Sequence, residues 1–120
     1  MKAPQFVYKA VILKIVDGDT IDVEIDLGFH VFTKQRLRLC NIDAFEKNDK
    51  DPLKRALALK ATNRENELIP VGSTVILETF KQDKYGRFLA EVYSISSPSN
   101  SINAILVEEN LAVPYFGGKK

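Results

Sequence analysis

The chain reads as α+β, mainly β: a small closed barrel of five strands, with one helix between the third and fourth strands and a short helix near the C-terminus. Two observations predict this. Five segments carry strand patterning, the clearest being Ile21, Val23 and Ile25 alternating with Asp22, Glu24 and Asp26, a period of two that buries one face and wets the other. A single long helical segment interrupts the series after the third strand, and 120 residues suffice for one core without disulfides or a structural metal.

The elements follow in order. Residues 6–16, rich in valine, isoleucine and aromatics, form the first strand and stop at the Asp17-Gly18 turn signal. The second strand carries the alternation above. Leu27-Gly28-Phe29-His30 then turns the chain into a third strand, 31–40, in which Leu37 and Leu39 oppose Lys34, Arg36 and Arg38. Asp51-Pro52 is an N-cap followed by proline at the first helical position, and opens a helix over 52–68 that Pro70-Val71-Gly72 stops. Leu53, Ala56, Leu57 and Ala61 mark its expected apolar stripe. Strands over 74–80 and 87–95 join around Asp83-Lys84-Tyr85-Gly86. Ser101 caps a short second helix in which Ile102, Ile105 and Leu106 share a face, and residues 114–120 read as a frayed tail. Strand and helix order together match an OB-type barrel within a single domain, 1–120.

Composition narrows the function. An apolar share of 45% with 28% charged residues is that of an ordinary globular protein. Seventeen basic and sixteen acidic residues leave a net charge of +1, which argues against holding duplex nucleic acid by bulk charge and leaves room for a small concentrated site. Cys40 is the only cysteine and His30 the only histidine, so intramolecular disulfides, zinc sites built on cysteine pairs and hydrolase triads that need a histidine partner are excluded or disfavoured. His30, beside Gly28-Phe29, is expected on a surface turn. No stretch is apolar enough to span a bilayer and no signal-peptide pattern is present, which predicts a cytosolic protein, or a secreted one where a leader has been removed; a monomer is expected.

Three islands carry the chemistry: Asp17-Gly18-Asp19-Thr20, then Arg38 through Glu46, then Asp83-Lys84-Tyr85-Gly86-Arg87. Asp19, Asp43, Glu46, Arg38 and Arg87 make an inventory of three acids and two arginines. Hard cations need oxygen donors, and a developing phosphorane needs planar, permanently charged ones. The inventory therefore suits metal-assisted phosphodiester cleavage. Each island alone has a plain reading as a turn, a strand charge or a loop.

In the same order, the three islands resemble the motifs of the thermonuclease (staphylococcal nuclease-like) family, and the similarity runs from about residue 7 to about residue 113. The resemblance implies a calcium-dependent nuclease of low sequence specificity acting on DNA or RNA, most readily single-stranded. It further implies Asp19, Asp43 and the backbone carbonyl of Ala44 as calcium ligands. Glu46 would hold or deprotonate the attacking water. Arg38 and Arg87 would clamp the phosphate. Lys84, Tyr85 and Tyr115, with Phe116 beside it, stand where the family contacts the nucleotide, and stacking there would be sequence-tolerant. Three positions depart from the family pattern. Asn41 replaces a glycine, which fits a positive φ; Ala44 keeps its carbonyl; Phe45 replaces a proline and leaves the approach to Glu46 freer. The acids of Lys47-Asn48-Asp49-Lys50-Asp51 are expected in solvent. Two other readings stay open: a nuclease-like domain with weak or no catalysis that binds single-stranded nucleic acid or a protein partner, and a purely structural barrel.

Overall fold

A computed structural model describes residues 6–82, 86–96 and 98–115. Among these, β1 (Phe6–Asp17), β2 (Thr20–Asp26), β3 (Phe32–Leu39), β4 (Ile42–Ala44), α1 (Pro52–Leu68), β5 (Thr74–Gln82), β6 (Phe88–Ser94), α2 (Ile102–Glu108) and β7 (Ala112–Pro114) follow one another. Five strands close a barrel in the order β1-β2-β3-β6-β5. The expected helix over 52–68 and the five barrel strands are present, each strand end lying within two residues of its expected place.

Closure depends on β1, which is long enough to serve two neighbours. Its first half pairs with β5, from Phe6 opposite Thr79 to Val11 opposite Thr74. Its second half pairs with β2, and the register slips between Ile12 and Lys14 and again between Ile15 and Asp17. Such bulges bend a strand and increase its twist, as a sheet must do to meet its own edge. The final seam is the short parallel pairing of Leu37–Leu39 with Phe88–Ala90. Ile12, Ile21, Val23, Leu37, Leu39, Val75, Leu77 and Val92 fill the interior.

Both helices start as their caps dictate. The Asp51 side chain accepts from the Leu53 N–H at 2.9 Å and that of Ser101 from the Ala104 N–H at 3.1 Å. The face that α1 buries overlaps the expected one only at Ala61, with Leu57 at its margin. Leu53 and Ala56 are exposed and Leu57 is half-buried, whereas Ala58, Ala61, Thr62, Glu65 and Ile69 are buried. Small residues won because the helix lies close against the turn between β1 and β2. A Cβ added to Gly18 there would come within 2.9 Å of the Ala44 Cβ and 3.1 Å of the Ala61 Cβ. Arg64 then ties α1 to the end of α2 through a two-point ion pair with Glu109, 2.8 and 3.0 Å.

Two elements were not expected. β4 and β7 pair over three residues, Ile42 with Pro114, Asp43 with Val113 and Ala44 with Ala112. Pro114, read from sequence as part of a frayed tail, thus ends a strand, and the Tyr115 N–H donates to the Asn41 carbonyl at 2.9 Å. Residues 116–120 lie outside the described residues. Asn103 joins α2 to this region: its amide donates to the carbonyls of Cys40 at 2.9 Å and Ala90 at 3.1 Å and accepts from the Val92 N–H at 3.1 Å. His30 is exposed in the β2–β3 turn with φ 59, and Asn41 has φ 63, each as expected.

Replacing Gly18 by alanine should overpack the contact with Ala44 and Ala61. The expected cost is about 1–3 kcal/mol, measured as a lower urea midpoint at unchanged slope. A midpoint equal to the parent's would mean that the turn moves away freely.

Candidate active site

The site is assembled around Arg38. Its place in β3, opposite Thr20 of β2, turns its side chain away from Leu37 and Leu39, as the alternation requires. Taken alone such a strand position reads as a surface charge, but Arg38 is only 8% exposed, because β4 and the segment around it fold across that face. A buried guanidinium must be satisfied. Nη1 donates to the carbonyls of Leu39 at 3.0 Å and Ile42 at 2.9 Å. Nη2 lies 3.3 Å from Asp43 Oδ1 and 3.6 Å from Asp19 Oδ2. The Tyr115 ring lies across it, 5.7 Å from Cζ to ring centroid, within cation–π range.

Asp19 is held at both ends. Its carbonyl accepts the Leu39 N–H at 2.8 Å, Oδ2 accepts the Ala44 N–H at 3.0 Å, and Oδ1 accepts the Thr20 hydroxyl at 3.1 Å. The first island is therefore locked to the second through backbone and side chain alike. Asp43 sits one residue before Ala44 in β4, whose pairing with β7 fixes its direction. Of the expected residues, Asp19, Arg38, Asp43, Ala44 and Tyr115 come together here.

Glu46 does not join them. It is exposed, and among the described residues its side chain takes no part in the bonds of this cluster. Its loop is pinned next door: Lys47 Nζ donates to the Val16 carbonyl at 2.6 Å and lies 3.8 Å from Asp17 Oδ1. Arg87 is half-buried just before β6, two residues ahead of Leu89, which pairs with Arg38 across the β3–β6 seam. Lys84 and Tyr85 lie outside the described residues. Cys40 is no nucleophile, since burial first and the neighbouring Glu91 second push its thiol up to about 12.

One residue of this region escaped the sequence reading. Glu65 of α1 is fully buried at 0% exposure, and both of its carboxylate oxygens lack a hydrogen-bond partner among the described residues. Burial, above all, raises its pKa well above the ordinary value, and the negative charges of Asp19 and Asp17 push the same way. The signal was its spacing from Ala58, Ala61 and Thr62, which only the correct helix phase reveals.

Fold and site together define an OB-type barrel protein with an acidic site centred on a buried arginine at one mouth of the barrel. A family profile described as staphylococcal nuclease homologue matches residues 36–120, and the chain belongs to that family. Two relatives named uncharacterized endonuclease, one from Escherichia coli O157:H7 and one from Escherichia coli, are each 34% identical over 104 residues. The match covers 87% of this chain and 59% of each relative.

The raised carboxyl of Glu65 sets a pH dependence. Below the ordinary glutamate value of 4.5 the folded and unfolded chains both hold the proton. Above it the unfolded chain releases the proton and the folded one keeps it, so stability falls as the pH climbs towards the folded value. Glu65→Gln lacks this loss. In chelator its stability should match the parent's near pH 4 and exceed it increasingly at higher pH, by at most about 1.4 kcal/mol per pH unit. Parallel pH profiles in chemical denaturation would refute this.

Proposed function

We propose that this chain is a calcium-dependent nuclease that hydrolyses phosphodiester bonds in DNA or RNA with low sequence specificity. The observation that carries the reading is the convergence of Asp19 and Asp43, from two separate islands, on Arg38, whose Nη2 lies 3.6 and 3.3 Å from their carboxylates. Family membership supports it, as does the name endonuclease carried by the two relatives.

The donors fit a hard cation. They are oxygens only, the carboxylates of Asp19 and Asp43, with those of Asp17 and the orphaned Glu65 close by. Asp19, Asp43 and the Ala44 carbonyl would hold calcium, which when bound supplies a Lewis acid for a phosphate oxygen. Arg38, braced by two carbonyls, offers its remaining donors to the phosphate without having to be ordered first. Arg87, just before β6, clamps the same group, and both arginines grip more tightly as charge accumulates on the phosphate. Glu46 receives a proton from the attacking water, carried on a loop that Lys47 anchors. Tyr115 covers the guanidinium and would stack on a base; Lys84 and Tyr85, outside the described residues, are nucleotide contacts on the resemblance of the third island alone. The exposed position of Glu46 favours a second reading, a domain that binds single-stranded nucleic acid without cutting it.

Single-stranded DNA and RNA incubated with the protein, in calcium and in chelator, separate the two. Degradation in calcium alone, lowered ~100-fold or more by Arg87→Ala, is expected; binding without cleavage in either condition would decide for the binding domain. Arg38→Lys should lose most of the activity although its charge is kept, because an ammonium cannot reproduce the fork that spans two carbonyls and two carboxylates. Full activity in that variant would remove Arg38 from the clamp.

A further inference from the structure

We infer that Glu65 serves the cation site from the helix side, its carboxylate bonding through water to a divalent cation held by Asp19 and Asp43 and raising the affinity for it. The inference rests on the cation reading above and adds a residue to it.

Glu65 is a carboxylate that no described protein group satisfies. Both oxygens are buried without a partner, in a molecule where buried polar groups are expected to be bonded. The neighbouring donors are spent elsewhere. The Thr62 hydroxyl donates to the Ala58 carbonyl at 3.2 Å and the Asn66 amide to the Thr62 carbonyl at 3.2 Å. Lys47 serves Val16 and Asp17, and Arg38 serves Leu39, Ile42, Asp43 and Asp19.

Its position is tied to the acidic turn. A Cβ on Gly18 would stand 3.8 Å from Glu65 Oε1 while colliding with Ala44 and Ala61. The glycine and the two alanines therefore bring the Asp17-Gly18-Asp19 turn down onto this carboxylate, and Asp19 and Asp17 are the negative charges it feels. The face contains three small residues and, at its centre, a carboxylate where packing alone calls for an apolar side chain. Calcium takes six to eight oxygens, more than Asp19, Asp43 and Ala44 supply. Among the described residues no three acidic side chains lie close enough to hold one ion between them, so the link from Glu65 runs through water, as supporting residues of metal sites commonly do.

Calcium binding by calorimetry tests this, with the intact protein, Glu65→Gln, Glu65→Met and Asp19→Asn, alongside thermal unfolding of each in chelator. The intact protein should bind, Asp19→Asn should lose binding, and both Glu65 variants should bind at least ~10-fold more weakly while melting no lower than the parent in chelator. A merely structural role would lower the melting point instead. A dissociation constant within about twofold of the parent's in either folded Glu65 variant overturns the inference and, with Asp19→Asn still defective, leaves the cation reading standing. If the intact protein itself binds no calcium, the inference and that part of the proposed function fall together. Should Glu65→Met fail to fold, Glu65→Gln decides alone.

Discussion

The guanidinium of Arg38 is the point on which this structure turns. A charge this deeply buried survives only if its surroundings repay the lost water, and the repayment comes from elements remote in the chain: carbonyls from the end of β3 and the start of β4, a carboxylate from the β1–β2 turn and another from β4. Each of these must be where it is. The register that sets Thr20 opposite Arg38 brings Asp19 alongside, the left-handed Asn41 reverses the chain so that Ile42 returns its carbonyl, and β7 clamps β4 in place. The arginine thus couples the mouth of the barrel to the small outer sheet.

That coupling explains why the region is built from small side chains on one side and acids on the other. Gly18, Ala44 and Ala61 meet at distances that tolerate nothing larger, so the turn, β4 and α1 are in mutual contact. Acids carried on such closely packed elements cannot move apart to relieve their repulsion. Arg38 neutralises part of it and Lys47 part of the rest. Burial together with Asp19 and Asp17 pushes Glu65 towards its protonated form, and Lys47 opposes this only weakly.

Much of this was legible in the chain. The barrel strands declared themselves through alternation, and both helix starts through Asp51-Pro52 and Ser101, because caps and period are local chemistry that survives any tertiary context. The site inventory was legible by residue type. Three things were not. β4 and β7 are too short for a period to show, and each exists only because the other is beside it. The buried face of α1 meets the expected stripe only around Ala61, because the contact with the Gly18 turn, and not the placing of the leucines, sets which way the helix faces. The burial of Arg38 followed from β4 crossing its face, a tertiary fact with no trace in strand alternation.

The crowding of carboxylates around Arg38 has a thermodynamic consequence. A ligand that binds only the folded chain stabilises it in proportion to the logarithm of its saturation, and a site that concentrates carboxylates at a cost in stability recovers that cost when a cation enters. In a chain whose overall charge is only +1, the arrangement gathers carboxylates around a fixed guanidinium at one mouth of the barrel. A polyanion approaching such a mouth is repelled by the carboxylates and attracted by Arg38 and Arg87. On the proposed reading the cation reverses the first term without touching the second, so affinity for phosphate and affinity for the cation rise together. Coupling of that kind needs the acids and the arginines to be held at fixed separation, and it is the crowding at Gly18 that fixes it.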